Sequence, residues 1–240
     1  MTGPRVSIVI PSKDEAESLA DLVKEISTAL AGDSFEVIVV DDGSTDDTAG
    51  VLAQLAQAHP FLRRLVHVQC RGKSAAILSG VSAARAPLIA TLDGDGQNDP
   101  RYLPAMLALM AEPGVGLVAG QRIKHAHSNA KRIGSRFANR LRAWLLRDNT
   151  RDTACGLKVF RRDVFLRLPY FDTMHRFLPA LVQRDGLAVR HLDVVDRDRL
   201  HGRSKYGVID RAVVGLFDLL GVFWLIKRRK PGAQAKEIML

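Results

Sequence analysis

Cysteine is nearly absent from these 240 residues: Cys70 and Cys155 stand far apart, with no Cys-x-x-Cys or Cys/His metal spacing around them. That excludes a disulfide framework and a structural zinc site, and free thiols in a reducing compartment are the expectation. Aromatic residues make up only 6% of the chain. No zinc-finger, helix-turn-helix or RNP-like signature accompanies its positive charge, so nucleic acid is not an expected partner. A clean membrane span is lacking too, because the apolar stretch 208–226 is interrupted by Asp210, Arg211 and Asp218. At the N-terminus Val6–Pro11 gives way at once to Lys13, Asp14 and Glu15, so no signal peptide is expected.

Hydrophobic residues account for 47% of the chain, ample for the core of one large α/β domain. The expected division is one domain over 1–205 and a C-terminal helix with a basic tail over 206–240. Charge is strongly asymmetric. Residues 1–60 hold three Lys/Arg against eleven Asp/Glu, whereas the remainder holds 32 against 15, a balance of +17. The basic portion suits an anionic membrane surface, a phosphorylated substrate or nucleic acid, and charge alone does not choose among them.

The first half alternates between strand and helix patterns. Val6–Ile10, Phe35–Val40, Leu62–Val68, Leu88–Leu92 and Val115–Ala119 are apolar runs of buried-strand type. Helical stripes fall between them over Glu15–Leu30, Asp46–Ala58, Ser74–Ala84 and Pro100–Met110. Such alternation predicts a mostly parallel sheet covered on both faces, with its binding site beyond the C-terminal strand ends. Acidic clusters lie at those ends: Asp14-Glu15, Asp41-Asp42-Gly43-Ser44 and Asp93-Gly94-Asp95.

Asp93, Asp95, Gln97 and Asp99 present four oxygen-bearing side chains at a spacing of two, just before Pro100. They suit a hard divalent cation shared with a diphosphate, and equally an Asp-rich turn in which Asp99 caps the helix beginning at Pro100. Asp41-Asp42-Gly43-Ser44-Thr45 similarly suits a nucleotide contact or a turn in which Ser44 or Thr45 caps a helix from Asp46. Arg71-Gly72-Lys73-Ser74 is not a phosphate-binding P-loop, since that loop's first glycine would fall on His67.

Val-Ile-Pro-Ser-Lys-Asp-Glu (9–15), Val-Asp-Asp-Gly-Ser-Thr-Asp (40–46) and Leu-Asp-Gly-Asp-Gly-Gln-Asn-Asp-Pro (92–100) resemble the successive motifs of the family 2 glycosyltransferases of the GT-A fold. Arg122, the 132–141 segment, Asp152-Thr-Ala-Cys-Gly-Leu-Lys-Val-Phe and His201-Gly-Arg-Ser-Lys-Tyr are similar to its polyprenyl-phosphate branch, the dolichol-phosphate mannose synthase type. The resemblance implies Pro11, Lys13, Glu15, Asp41, Asp42, Lys73, Asp93, Gly94, Arg199, Arg203 and Lys205 at the nucleotide. It implies Asp93, Asp95 and Gln97 on Mg²⁺ or Mn²⁺. Asp95, Asp152 and Arg122 would be catalytic, and Arg132, Ser135, Arg136, Asn139 and Arg140 would hold the acceptor. Lys13 and Asp14 depart from the pattern, standing where the family has an aromatic residue and Asn.

Residues 122–167 carry 13 Lys/Arg against Asp148, Asp152 and Asp163. Ile133, Phe137, Leu141, Trp144 and Leu145 form one helical face there, with Arg132, Arg136 and Arg140 beside it. The pattern suits a lipid phosphate, and also a surface helix with its apolar side in the core. A phosphomonoester is largely ionised at neutral pH and attacks without a general base, whereas a hydroxyl acceptor needs one. The carboxylate that hydroxyl-using relatives place near a late helix is replaced here by Met174-His175-Arg176, although His175 and Asp152 remain candidate bases. The basic loop around 199–205, with Gly202 and Gly207, reads as a lid over the donor or as an ordinary surface loop. Residues 208–226, followed by Lys227-Arg228-Arg229-Lys230, read as an interfacial membrane helix or as a helix packed on the sheet.

The expected protein is an inverting, metal-dependent transferase moving a hexose-type sugar from a nucleoside-diphosphate sugar to polyprenyl phosphate, peripheral on the cytoplasmic side of a membrane. Its rivals are a family 2 enzyme acting on a sugar or protein hydroxyl, a basic nucleic-acid-binding protein, and a sugar-nucleotide sensor without turnover.

Overall fold

The computed structural model describes residues 3–123, 142, 145–197 and 208–229, with side chains in the last segment from residue 215 onward. The expected elements form, and a strand that was not expected joins them. β1 (Val6–Ser12), α1 (Ala16–Ala29), β2 (Phe35–Asp41), α2 (Thr48–Ala58), β3 (Leu62–Val66), α3 (Lys73–Ala83) and β4 (Leu88–Thr91) alternate along the first half. A 3₁₀ turn at Pro100–Tyr102, α4 (Leu103–Leu109) and β5 (Val115–Arg122) follow. After residue 145 come β6 (Lys158–Arg161), α5 (Arg162–Arg167), α6 (Leu178–Arg184), β7 (Ala188–Val194) and α7 (Val208–Lys227).

The seven strands form one sheet in the order β3-β2-β1-β4-β6-β5-β7. β1 pairs in parallel with β2 and β4, β2 with β3, and β5 with β7, while β6 runs antiparallel between β4 and β5. The mixed α/β architecture is therefore mostly parallel, as the alternation implied. β6 escaped the sequence reading because it is four residues long and opens with Lys158, which is 3% exposed and interrupts the apolar pattern.

Strand periodicity divides the core. Val6, Ile8, Ile10, Val37 and Val39 face one layer with α1 and α4, represented by Leu19, Leu22, Ile26, Leu103 and Met106. Val9, Ile38 and Val40 face the other with α3, α5, α6 and α7, represented by Ile77, Val81, Phe165, Leu181, Leu219 and Val222. Because both faces are covered, β1 and β2 carry apolar residues toward both layers rather than alternating, with Ser7 and Glu36 the polar exceptions inside them. Burying each such aliphatic side chain contributes ~2 kcal/mol. Glu36, buried on β2, is reconciled with that setting by Ser7 Oγ, Arg85 N and Arg63 Nη1, all donating to its carboxylate within 2.7 Å.

Some boundaries differ from expectation. β3 stops at Val66 because His67 turns its ring to Asp42, and Val68 is left 96% exposed. α2 begins at Thr48 rather than Asp46, and neither Ser44 nor Thr45 caps it: Asp46 Oδ1 accepts from Thr48 N, while Ser44 Oγ accepts from Asp14 N. Asp99 does cap the turn at Pro100, accepting from Arg101 N. Among the described residues no helix is long and apolar enough to cross a membrane.

Candidate active site

β1, β2 and β4 all deliver their C-terminal ends to one edge of the sheet, and their loops are laced together there. Asp14, at φ +53°, presents its N–H to Ser44 Oγ (2.9 Å) and accepts from Thr45 N (2.6 Å). Ala16 N donates to Asp46 Oδ2 at 3.1 Å, closing the same seam. Asp41 accepts from Ser44 N and from Arg64 Nη2 (2.9 and 2.7 Å). Asp42 accepts from Arg71 N and Gly72 N, both at 2.8 Å, from Cys70 Sγ at 3.2 Å, and lies 2.6 Å from His67 Nδ1. Burial pushes the Asp42 carboxyl up, but these partners outweigh it and hold the group below the usual carboxylate range. In this structure, then, both carboxylates organise the wall of the site. Gly43, at φ +72°, passes the 67–72 loop so closely that a Cβ would lie 3.0 Å from Cys70 N. Lys13 reaches the same loop, its ammonium favoured first by a hydrogen bond with the Cys70 thiol.

The 93–99 loop forms the floor. Asn98 Oδ1 accepts from Asp93 N at 3.0 Å, and Asp95 Oδ1 accepts from Gln97 N at 3.2 Å. Gly94 packs on the end of β1, where a Cβ would meet Ser12 Oγ at 3.2 Å and Pro11 O at 3.4 Å, and its carbonyl accepts from Ser18 Oγ at 2.6 Å. Lys73, at the start of α3, ion-pairs with Asp93. Gly156 leaves room beneath: a Cβ there would lie 2.4 Å from Asp93 Oδ1 and 2.7 Å from Asn98 Oδ1. Ser12 Oγ is buried beside this loop with no hydrogen-bond partner.

The far wall is charged. Arg122, at the end of β5, grips Asp152 with two bonds (Nε–Oδ2 2.5 Å, Nη2–Oδ1 3.0 Å) and reaches Asp196 at 3.3 Å. Burial raises the Asp152 carboxyl, but Arg122 more than compensates and keeps it below its ordinary value. For Asp196 burial wins over Arg122 and its pKa rises. Asn98 Nδ2 donates to Asp196 Oδ1 at 3.2 Å, so one buried amide joins the floor to this wall. Behind them Lys158 donates to the carbonyls of Cys155 and Thr153, and burial brings its pKa down to about 8. His175 Nδ1 lies 2.8 Å from Ser74 Oγ, and burial, with Lys73, Lys158 and Arg176 nearby, holds its pKa well below 6.5.

Among the described residues no group of three or more His, Cys, Asp or Glu side chains is arranged to hold a metal unaided. Asp93 and Asp95 nonetheless offer the hard oxygen donors that Mg²⁺ or Mn²⁺ takes, and such ions bind through one or two carboxylates completed by substrate phosphates and water. The donor set fits an ion that arrives with a diphosphate. Gln97 Nε2 points to Arg197 O (3.4 Å), so its amide braces the 195–197 segment in this structure.

The sheet edge thus brings together Pro11, Lys13, Glu15, Asp41, Asp42, Lys73, Asp93, Gly94, Asp95, Gln97, Arg122 and Asp152. Arg132, Ser135, Arg136, Asn139, Arg140, Arg199, Arg203 and Lys205 lie outside the described residues. Sequence reasoning missed Asn98, Gly156 and Asp196. The first two sit inside motifs already singled out, where acidic neighbours drew attention away from an amide and a glycine. Asp196 carries no local signature.

Residues 7–168 match the model of glycosyl transferase family 2. A dodecaprenyl-phosphate galacturonate synthase from Rhizobium johnstonii is 32% identical over 234 residues, covering 95% of this chain and 69% of that protein. Among solved structures, a mannosyltransferase from Pyrobaculum calidifontis in complex with GDP-Man and Mn²⁺ superposes with a TM-score of 0.70 at 21% identity, covering 97% of this chain and 67% of that one. Glucosyl-3-phosphoglycerate synthase from Mycobacterium tuberculosis, with Mn²⁺, UDP and phosphoglyceric acid, gives 0.68 at 18% identity over 93% of this chain and 78% of its own.

Proposed function

Because the chain belongs to glycosyl transferase family 2, we propose that it transfers a hexose-type sugar from a nucleoside-diphosphate sugar to polyprenyl phosphate, with inversion, at the cytoplasmic face of a membrane. The observation that carries this reading is the convergence on one sheet edge of the Asp93–Asp95 loop, Lys73 and the Arg122–Asp152 pair. The R. johnstonii relative's lipid-phosphate product supports the acceptor class.

Asp93 and Asp95, with Gln97, would hold Mg²⁺ or Mn²⁺. When bound, the ion supplies positive charge to the departing diphosphate. Lys73 adds an ammonium on the same side, and the laced 11–16 and 41–48 loops form the wall for the nucleoside. Arg199, Arg203 and Lys205 are assigned to the diphosphate, and Arg132, Ser135, Arg136, Asn139 and Arg140 to the acceptor phosphate, on resemblance alone. Arg122 is fixed by Asp152, and a catalytic role is assigned to the pair on resemblance.

Neither base that the sequence offered, His175 or Asp152, is tuned for a hydroxyl acceptor. A general base works best with a pKa near the operating pH. Burial pushes His175 below its ordinary value and Arg122 keeps Asp152 below its own, so neither is tuned to take a hydroxyl proton; Asp196, raised by burial beside Arg122, is the carboxyl a hydroxyl acceptor would call on. A phosphate nucleophile asks for no such group.

Incubation with a panel of radiolabelled nucleotide sugars, uronates included, and polyprenyl phosphate in detergent tests the reading. Label recovered in an acid-labile lipid extract supports it. Label found only in glycan, or none in lipid with any donor, defeats it.

A further inference from the structure

The helix α7 is tied to the body by hydrogen bonds as well as by packing. Leu219 and Val222 are buried in the second core layer, and Arg184 Nε on α6 donates to Leu225 O at 3.1 Å. Two helical turns earlier, Asp218 Oδ2 accepts from Thr173 Oγ1 at 2.5 Å. Neither Asp218 nor Thr173 has a part in the chemistry proposed above.

Thr173 is a costly partner. Among the described non-glycine residues with positive φ it is the β-branched one, at φ +64° and ψ 1°. That conformation crowds a branched side chain and persists only where the surroundings over-determine it. Here the surroundings are carboxylates: Asp172 Oδ1 accepts from Thr173 N at 2.8 Å, and Asp218 takes the hydroxyl. The 3₁₀ turn that follows, Met174–Arg176, sends Met174 into the core and His175 to the start of α3, where Nδ1 lies 2.8 Å from Ser74 Oγ. Asp172 backs the same corner, since a Cβ on Gly72 would lie 3.7 Å from its Oδ1. Ser74 is fully buried, and its neighbour Lys73 carries the ammonium that pairs with Asp93. A continuous set of contacts therefore runs from α7 through Thr173, His175 and Ser74 to the cationic corner of the site.

We propose that Thr173 and Asp218 are positioning residues for the donor's diphosphate: their bond latches the 172–176 turn, whose His175–Ser74 contact fixes the start of α3 and with it the Lys73 ammonium. This rests on the reading of Lys73 as a diphosphate contact and names what holds it in place. Without the latch, Thr173 loses the bond that offsets its left-handed backbone, the turn is free to relax, and the start of α3 loses its backing. Nucleotide affinity and the seating of α7 are then linked, and the link is reciprocal.

The test is calorimetric titration of the full chain with UDP and with GDP, each with Mn²⁺, alongside thermal melts. Thr173→Gly removes the hydroxyl and the left-handed strain together, so its melting midpoint should stay close to that of the wild type. Its nucleotide affinity should nonetheless fall about fivefold or more. Asp218→Ala should weaken binding to the same extent, whereas Thr173→Ser, which keeps the hydroxyl, should bind as the wild type does. Lys73→Met should weaken binding by itself, and Thr173→Gly/Lys73→Met should bind no more weakly than Lys73→Met, because the latch acts through that ammonium. Wild-type affinity in Thr173→Gly beside a weakened Lys73→Met overturns the latch alone, as do losses that simply add in the double variant. Unchanged affinity in Lys73→Met, or no binding of either nucleotide by the wild type, defeats the reading of Lys73 at the diphosphate and the latch with it.

Discussion

Gly156→Ala places one methyl group under the proposed cation site and measures how tightly that floor is set. The new Cβ would lie 2.4 Å from Asp93 Oδ1, 2.5 Å from its Cγ and 2.7 Å from Asn98 Oδ1, where ordinary contacts begin at 3.4 Å. Both partners are anchored. Asp93 is tied to Lys73, and Asn98 to Asp93 N and Asp196. Relief therefore comes from moving the Asp93 carboxylate by about 1 Å, a misplacement that costs ~100-fold in rate when it falls on a positioning group. That is about 2.7 kcal/mol of transition-state stabilisation. The overpacking itself should cost about 1–3 kcal/mol of folding stability, lowering the melting midpoint by about 2–12 °C in a chain this size. Initial rates titrated with Mn²⁺, alongside a melt followed by circular dichroism, separate the two effects. Retention of wild-type kcat and metal dependence by a folded Gly156→Ala enzyme would show that Asp93 is not held where the chemistry needs it.

Asp95→Ala should abolish sugar transfer, by at least ~10³-fold, while the melt stays close to wild type, since it removes a proposed metal ligand; a variant with near-wild-type turnover contradicts the ligand assignment. Asn98→Asp removes the donor to Asp196 and sets two carboxylates against each other, so stability should fall by about 1–3 kcal/mol and kcat by more than tenfold. Denaturant melts and rates check this, and an unaltered kcat argues against coupling between floor and wall. The folded-state pKa of His175 lies below its unfolded value near 6.5, so the unfolded chain binds the extra proton first on acidification. The contribution is intact above about pH 6.5 and is lost as pH falls through the interval down to the folded pKa, by up to about 1.4 kcal/mol per pH unit. His175→Gln should flatten that part of the stability curve, with His191 acting equally in both proteins; coincident slopes rule the assignment out.

The parallel half of the sheet was legible because β1 and β2 are buried on both faces and therefore read as short runs rich in β-branched residues, each followed by an acidic loop. β6 was not, since Lys158 opens it and its partners lie far away in sequence, at β4 and β5. In the site, residue types reveal what has charge or oxygen to offer, which is why Asp93 and Asp95 stood out, whereas Arg122 and Asp152 were pointed to by the family resemblance. What the sequence leaves silent is who holds them. Asn98 matters because its amide faces two ways, and Gly156 because it has nothing to place beneath Asp93. Asp41 and Asp42 taught the converse. Read as nucleotide contacts, they also direct their acceptors to Arg64, His67, the Cys70 thiol and the backbone N–H groups of Arg71 and Gly72, an arrangement visible only once β2 and β3 are side by side.

The central claim is that the carboxylates of the 93–95 turn hold a divalent ion against the donor's diphosphate. Diffraction at the manganese edge from crystals soaked with nucleotide sugar and Mn²⁺ addresses it directly. The account predicts an anomalous peak within coordination distance of both Asp93 and Asp95 and of two phosphate oxygens. A donor bound at the sheet edge with no ion there, or with the ion held by other residues, would contradict it.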